Sequence, residues 1–189
     1  MARRRGVGSN QYRTKAVSGV DAVQIDLAHH LDTMAVGELI RLAQDPKCVP
    51  AVLYRLSQHP GPRVRLGVAR NAQVPPELLD ILAHDSDVEV QGHALAHRSC
   101  PVGTLRWAAH HNSEFIRYRV AQHANCPPEV LEHLAADSWQ IRRAVARNLR
   151  CPVNALAQLA GDADPEVSQT AIANPNLPEE YRALGRVVQ

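Results

Sequence analysis

The sequence predicts an all-α solenoid of about five to six two-helix repeats, each 25–26 residues long. Three observations carry this prediction. A short phrase recurs down the chain: Val68 to Glu77 (VARNAQVPPE), Ala94 to Pro101 (ALAHRSCP), Val120 to Glu129 (VAQHANCPPE), Val145 to Pro152 (VARNLRCP) and Ala171 to Glu179 (AIANPNLPE). Its Cys/Val/Leu position falls at 48, 74, 100, 126, 151 and 177, so successive copies stand 26, 26, 26, 25 and 26 residues apart. A fixed period of this size is the mark of stacked supersecondary units. Within each copy, proline opens a segment whose leucines recur at helical spacing. The one-residue deletion falls in a polar segment, where Asp137 to Ile141 is one shorter than Asp85 to Val90, so helix phase survives it.

The elements follow in chain order. Residues 1–18 carry five basic residues with Gly and Ser, and a basic flexible arm is expected there. Val20 to Leu31 and Met34 to Gln44 read as two N-terminal capping helices within residues 19–44, with Asp32 or Thr33 as the N-cap of the second. The repeat solenoid with its C-terminal cap then occupies 45–189, making 19–189 one domain. In the repeat at 74–99, Pro75-Pro76-Glu77 opens the first helix. Proline is tolerated in a first turn, and glutamate complements the positive helix end. Leu78, Leu79, Leu82 and Ala83 make its apolar face. A polar turn, His84 to Asp87, precedes a second short helix from Val88 to His97, which the next Cys-Pro ends. The first-helix leucine is Leu53, Leu79, Leu105, Leu131 and Leu156, and the second-helix anchor is Val64, Val90, Ile116, Ile141 and Val167. Pro178 to Leu184 reads as a closing helix with a water-facing outer side.

The pattern Val-Ala-x-Asn-x-x-x-Pro-Pro-Glu-x-Leu-x-x-Leu-Ala-x-Asp resembles the leucine-rich repeat variant family. Arg70, Asn71, Pro75, Pro76, Glu77, Leu79, Leu82, Ala83 and Asp85 fit it in order, as do Pro127, Pro128, Glu129, Leu131, Leu134, Ala135 and Asp137. The resemblance covers residues 42–184. It implies a HEAT-like right-handed superhelix alternating α-helices with short 3₁₀-type helices. Some members carry an N-terminal cysteine-rich iron–sulfur segment; no cysteine precedes Cys48, so that feature does not carry over.

Composition bounds the function. The chain has 189 residues, 45% apolar and 4% aromatic, with 21 basic against 19 acidic residues and a net charge of +2. Such a balance alone does not announce a nucleic-acid binder. No apolar run approaches the 18 residues of a membrane span. Arg3-Arg4-Arg5 leads into a polar stretch, unlike a secretory signal, so a cytoplasmic protein is expected. The four cysteines share one repeat position with Val74 and Leu177, which predicts buried packing residues in place of metal ligands or disulfides. Pairing His97 with Cys100, or His123 with Cys126, gives two ligands where structural zinc takes four. The sequence Asn71, His97, His123, Asn148 and Asn174 occupies one slot at the second-helix end, where capping or left-handed geometry is expected. His59 and His111 stand where other copies have Asp, which predicts solvated loop histidines. No catalytic motif is present, and neither an enzymatic role nor a cofactor is expected.

Charge is segregated. First helices carry Glu77, Asp80, Glu129 and Glu132. Second helices carry Arg65, Arg117 and Arg142 in one slot, with Arg70 and Arg147 in another. These slots should form an Arg-rich stripe that docks an acidic protein or peptide, with Tyr118 and Trp139 as aromatic anchors. The alternative is nucleic-acid binding, in which the Arg rows hold phosphates and Arg3, Arg4, Arg5, Arg13 and Lys15 of the arm add affinity.

Overall fold

All ten residues that the repeat pattern places at the core are fully buried. Leu53, Leu79, Leu105, Leu131 and Leu156, and Val64, Val90, Ile116, Ile141 and Val167, each keep 0% of their surface. A computed structural model describes residues 30–185, with side chains to residue 182. The expected arm at 1–18 and most of the expected helix Val20 to Leu31 lie outside the described residues.

The chain divides into two compact units, 1–39 and 40–189. In the first, residues 30–33 are helical, and the Thr33 hydroxyl donates to His30 O at 2.8 Å. Helix α1, Val36–Gln44, starts two residues later than the sequence predicts. Its start is held by Glu38, whose carboxylate accepts from Ala35 N at 3.1 Å, so Thr33 is not its cap.

The second unit repeats one plan. First helices are α2 (Pro50–Ser57), α4 (Pro76–Ala83), α6 (Val102–Ala108), α8 (Pro128–Leu134) and α10 (Val153–Ala160). Second helices are α3 (Pro62–Ala69), α5 (Val88–Ala96), α7 (Glu114–Gln122), α9 (Trp139–Arg147) and α11 (Pro165–Ala173). Helix α12 (Glu179–Gly185) follows. Prolines 75, 101, 127 and 152 stand as extended N-caps of first helices. Asp87 and Asp164 cap second helices, each accepting from two backbone amides. Both members of each pair are α-helices of seven to nine residues. The 3₁₀ character implied by resemblance is found in single turns at the ends of both first and second helices, such as His84 N to Ile81 O, Asn71 N to Val68 O and His97 N to Ala94 O. Second helices pack on one another more closely than first helices do, so they form the inner row of the stack.

A polar ladder ties each repeat to the one before. Asn71 Nδ2 donates to Ala43 O and Asp45 O, while its Oδ1 accepts from Gln73 N. His97 Nε2 bonds Asn71 O at 3.1 Å, and His123 Nε2 bonds His97 O at 2.9 Å. Asn148 Nδ2 donates to Ala121 O and His123 O, and Asn174 Nδ2 to Ala146 O and Asn148 O. Arg182 closes the series by donating to Asn174 O. The slot is thus a cap, but one that serves the preceding repeat. Its residues are extended, with φ near −70° and ψ near 130° from His97 onward, so left-handed geometry plays no part.

Histidine replaces asparagine here in one tautomer. His97 Nε2 meets a carbonyl and must donate, while Nδ1 accepts from Ser99 N and must be bare. Burial, foremost, holds the His97 pKa below its usual value. A base whose folded pKa is lowered binds fewer protons folded than unfolded, so its stabilising term is present above about 6.5 and lost as pH falls through the folded value. The melting temperature of the wild-type chain should therefore drop on acidification from pH 7 to 5 more steeply than that of His97→Asn. Parallel pH profiles would refute this role for His97.

Candidate functional site

The predicted Arg stripe separates into two sets. Arg65, Arg117 and Arg142 are half-buried and held by the next repeat. Each makes a two-bond pair with the aspartate twenty residues on: Arg65 with Asp85 (2.6 and 2.7 Å), Arg117 with Asp137 (2.6 and 2.9 Å) and Arg142 with Asp162 (2.7 and 2.8 Å). The remaining nitrogen of each donates to loop carbonyls of its own repeat. The hydrogen bonds from Arg117 and Arg142 hold Asp137 and Asp162 below the usual carboxylate range. Arg65 does the same for Asp85 against the opposing effect of burial. Two-bond pairs of this kind fix geometry as well as charge. These three arginines therefore clamp repeat to repeat. Between the second and third repeats the positions hold Gln91 and His111, and Gln91 turns its amide to Asp85 O.

His59 and His111 are half-buried turn residues, which corrects the expectation of solvated side chains. Each accepts through Nδ1 from the amide two residues on, Gly61 N and Ser113 N. The aspartates of this slot do likewise at Asp85 and Asp162, where Oδ1 accepts from Asp87 N and Asp164 N.

Of the other predicted residues, three converge and Arg70 does not. Tyr118, Trp139 and Arg147 line a groove of about 510 Å³ between α7 and α9, together with Phe115, Gln122 and Arg143. Trp139 is 42% and Phe115 41% exposed, and Arg147 is exposed. The Phe115 ring lies against Gly92 of the preceding repeat, where a Cβ would come within 2.6 Å of it. Gly92 is thus what allows the ring its place. Arg119 stacks over Phe115, 5.1 Å from the ring centre. Gln122 donates to the Tyr118 hydroxyl at 2.8 Å. Arg143 reaches Glu166 at 2.7 Å, yet its Nε, like that of Arg119, is buried without a hydrogen-bond partner. Glu114 at the rim accepts from the Ser138 hydroxyl. Arg70 stands two repeats away, its Nη2 3.0 Å from His93 Nε2.

Phe115, Arg143 and Gly92 belong to the site without being singled out by the repeat pattern. The available signal was positional: Phe115 and Trp139 lie one and two places before their second-helix anchors, Ile116 and Ile141. Trp107 is 41% exposed on a first helix and stacks on His84 with ring centres 3.8 Å apart.

The four cysteines are buried singly. Burial pushes the Cys100, Cys126 and Cys151 thiols up to about 12, and Cys48 upward as well. Among the described residues no three His, Cys, Asp or Glu side chains are grouped to hold a metal ion. A protonated, buried thiol is a poor nucleophile. A disulfide reagent should therefore label these three cysteines at least about 100-fold more slowly in the native protein than in denaturant. Rapid native labelling would contradict the packing. Among the described residues no helix is long and apolar enough to cross a membrane.

The profile of the leucine-rich repeat variant family matches residues 62–87 and 139–164. The solved structure of a leucine-rich repeat variant with a novel repetitive structural motif superposes with a TM-score of 0.60, at 23% identity, covering 89% of this chain and 72% of that one. An engineered protein aligns with a TM-score of 0.43, at 18% identity, over 86% of this chain and 97% of its own. No curated protein matches. The chain is an all-helical repeat protein that carries repeats of the leucine-rich repeat variant family.

Proposed function

We propose that this chain is a non-enzymatic scaffold that docks an acidic protein segment in the groove between α7 and α9. The observation that carries the proposal is the convergence of Phe115, Tyr118 and Trp139 with Arg143 and Arg147 from two successive repeats. Trp, Tyr and Arg are the residues that concentrate binding energy at interfaces. Arg147 is exposed and meets solvent, and Arg143 keeps an unpartnered Nε. Phosphate binding along the predicted rows is less well supported, because Arg65, Arg117 and Arg142 already hold aspartates. The arm arginines Arg3, Arg4, Arg5 and Arg13 and Lys15 lie outside the described residues.

The test is Arg143→Gln with Arg147→Gln, read by fluorescence anisotropy of a labelled acidic peptide containing one phenylalanine. The double variant should weaken binding about tenfold or more, since each 1.4 kcal/mol is a factor of ten. Trp107→Ala should bind as the wild type does. Equal affinity in the double variant would overturn the proposal. Binding of duplex DNA that is lost in high salt and survives the double substitution would move the function to phosphate contacts.

A further inference from the structure

Basic side chains carry on in line beyond the wall of the groove. Beyond Phe115 lies Arg119, its guanidinium stacked on that ring and its Nε buried without a partner. Beyond Arg119, on α5, lies His93, and beyond that Arg70 at the end of α3, in contact with His93 Nε2. The imidazole reports the local field. Its pKa is lowered first by burial and then by Arg70 and Arg119, with Glu89 the opposing acidic neighbour. Both arginines thus direct positive potential at the same spot. For Arg70 to donate to Nε2, that nitrogen must be bare, so His93 adds no charge of its own.

Acidic groups along this line are few. Glu166 is engaged by Arg143, and Glu114 by Ser138. Neighbouring second helices lie about 8–10 Å apart, so three steps from α3 to α9 span roughly 24–30 Å. An extended chain covers that distance with about eight or nine residues at ~3.3 Å each.

Resting on the docking groove proposed above, we infer that the groove is the aromatic end of a longer cationic strip, from Arg147 and Arg143 past Arg119 to Arg70. It takes an extended protein segment of about nine residues with carboxylates at both ends and an apolar side chain seated on Phe115, Tyr118 and Trp139. Charge complementarity selects this occupant. The cations stand at both ends of the strip, Arg143 and Arg147 at one and Arg70 at the other, and the aromatic surface reaches from the first end to Arg119, which stacks on Phe115.

The test uses two fluorescein-labelled probes and the full chain. One is a symmetric nonapeptide with two acidic residues and a phenylalanine at each end and Ser/Gly between, so that chain direction does not matter. The other is a pentapeptide with a single such end. Arg70→Gln should weaken the nonapeptide about fivefold or more and leave the pentapeptide unchanged. Arg143→Gln with Arg147→Gln should weaken both. Arg70 is exposed, and an unaltered melting temperature of its variant checks the fold. If Arg70→Gln is silent for the nonapeptide while the double variant weakens it, the strip is overturned and the groove stands. If neither change matters, or the nonapeptide does not bind at low ionic strength, both are overturned.

Discussion

Leu131→Ala should cost the fold about 2–5 kcal/mol, the range for large-to-small changes in a packed core. Leu131 keeps none of its surface, and its helix α8 packs against both α7 and α9. Truncation leaves a cavity between two repeats, and short α-helices joined by tight turns have little room to close it. The site lies in the middle of the stack. Repeat stability is a sum of unit and nearest-neighbour terms, so a defect there weakens the contacts on both sides. Urea denaturation checks this. A loss below about 1 kcal/mol would mean that the buried face of α8 has been misplaced.

The second large effect is expected at the ladder. Asn148 is 8% exposed and satisfies three backbone groups at once: Ala121 O, His123 O and Arg150 N, at 2.8, 3.0 and 2.9 Å. Alanine leaves all three without this partner. Each buried unsatisfied group costs about 1–3 kcal/mol, less whatever water can enter, so a total near 3 kcal/mol is expected. Asn148→His should recover most of it. The imidazole of His123 already does the same work one repeat earlier, with Nε2 bonded to His97 O and Nδ1 accepting from Asn125 N. If alanine proves harmless, or histidine is no better than alanine, the ladder does not hold the repeats together.

What was legible in the sequence was what repeats within one unit. Helix phase follows from apolar spacing, so Leu131 and Ile141 could be placed inward from their neighbours alone. The capping role of Asn148 was legible for the same reason, because asparagine before a proline-led helix satisfies backbone groups. Its acceptors were not, since they lie 25 and 27 residues upstream, across a repeat boundary. The arginines show the same limit more sharply. Arg117 and Arg142 read as a free stripe because charge at a helical surface position is usually solvated. Their partners, Asp137 and Asp162, stand twenty residues on in the next loop. A trace of this was present in the sequence, since Arg and Asp recur at that separation and give way together to Gln91 and His111. Charge reversal at Arg117 and Arg142 would therefore break two clamps and unsettle the stack before it reported on docking. The groove was legible in part. Tyr118, Trp139 and Arg147 were visible as anchors, whereas Phe115 depends on the missing side chain of Gly92 one repeat away.

The chain carries its own reporters for the central claim, because its two tryptophans stand on opposite helix rows. Trp139 lines the groove on the second-helix row, and Trp107 lies on a first helix beside His84. Their indole N–H resonances can be followed while an acidic peptide with one phenylalanine is titrated in. A docking groove between α7 and α9 predicts that the Trp139 signal moves to saturation while the Trp107 signal stays in place. Movement of Trp107 with Trp139 unshifted, or binding that disturbs neither indole, would contradict it.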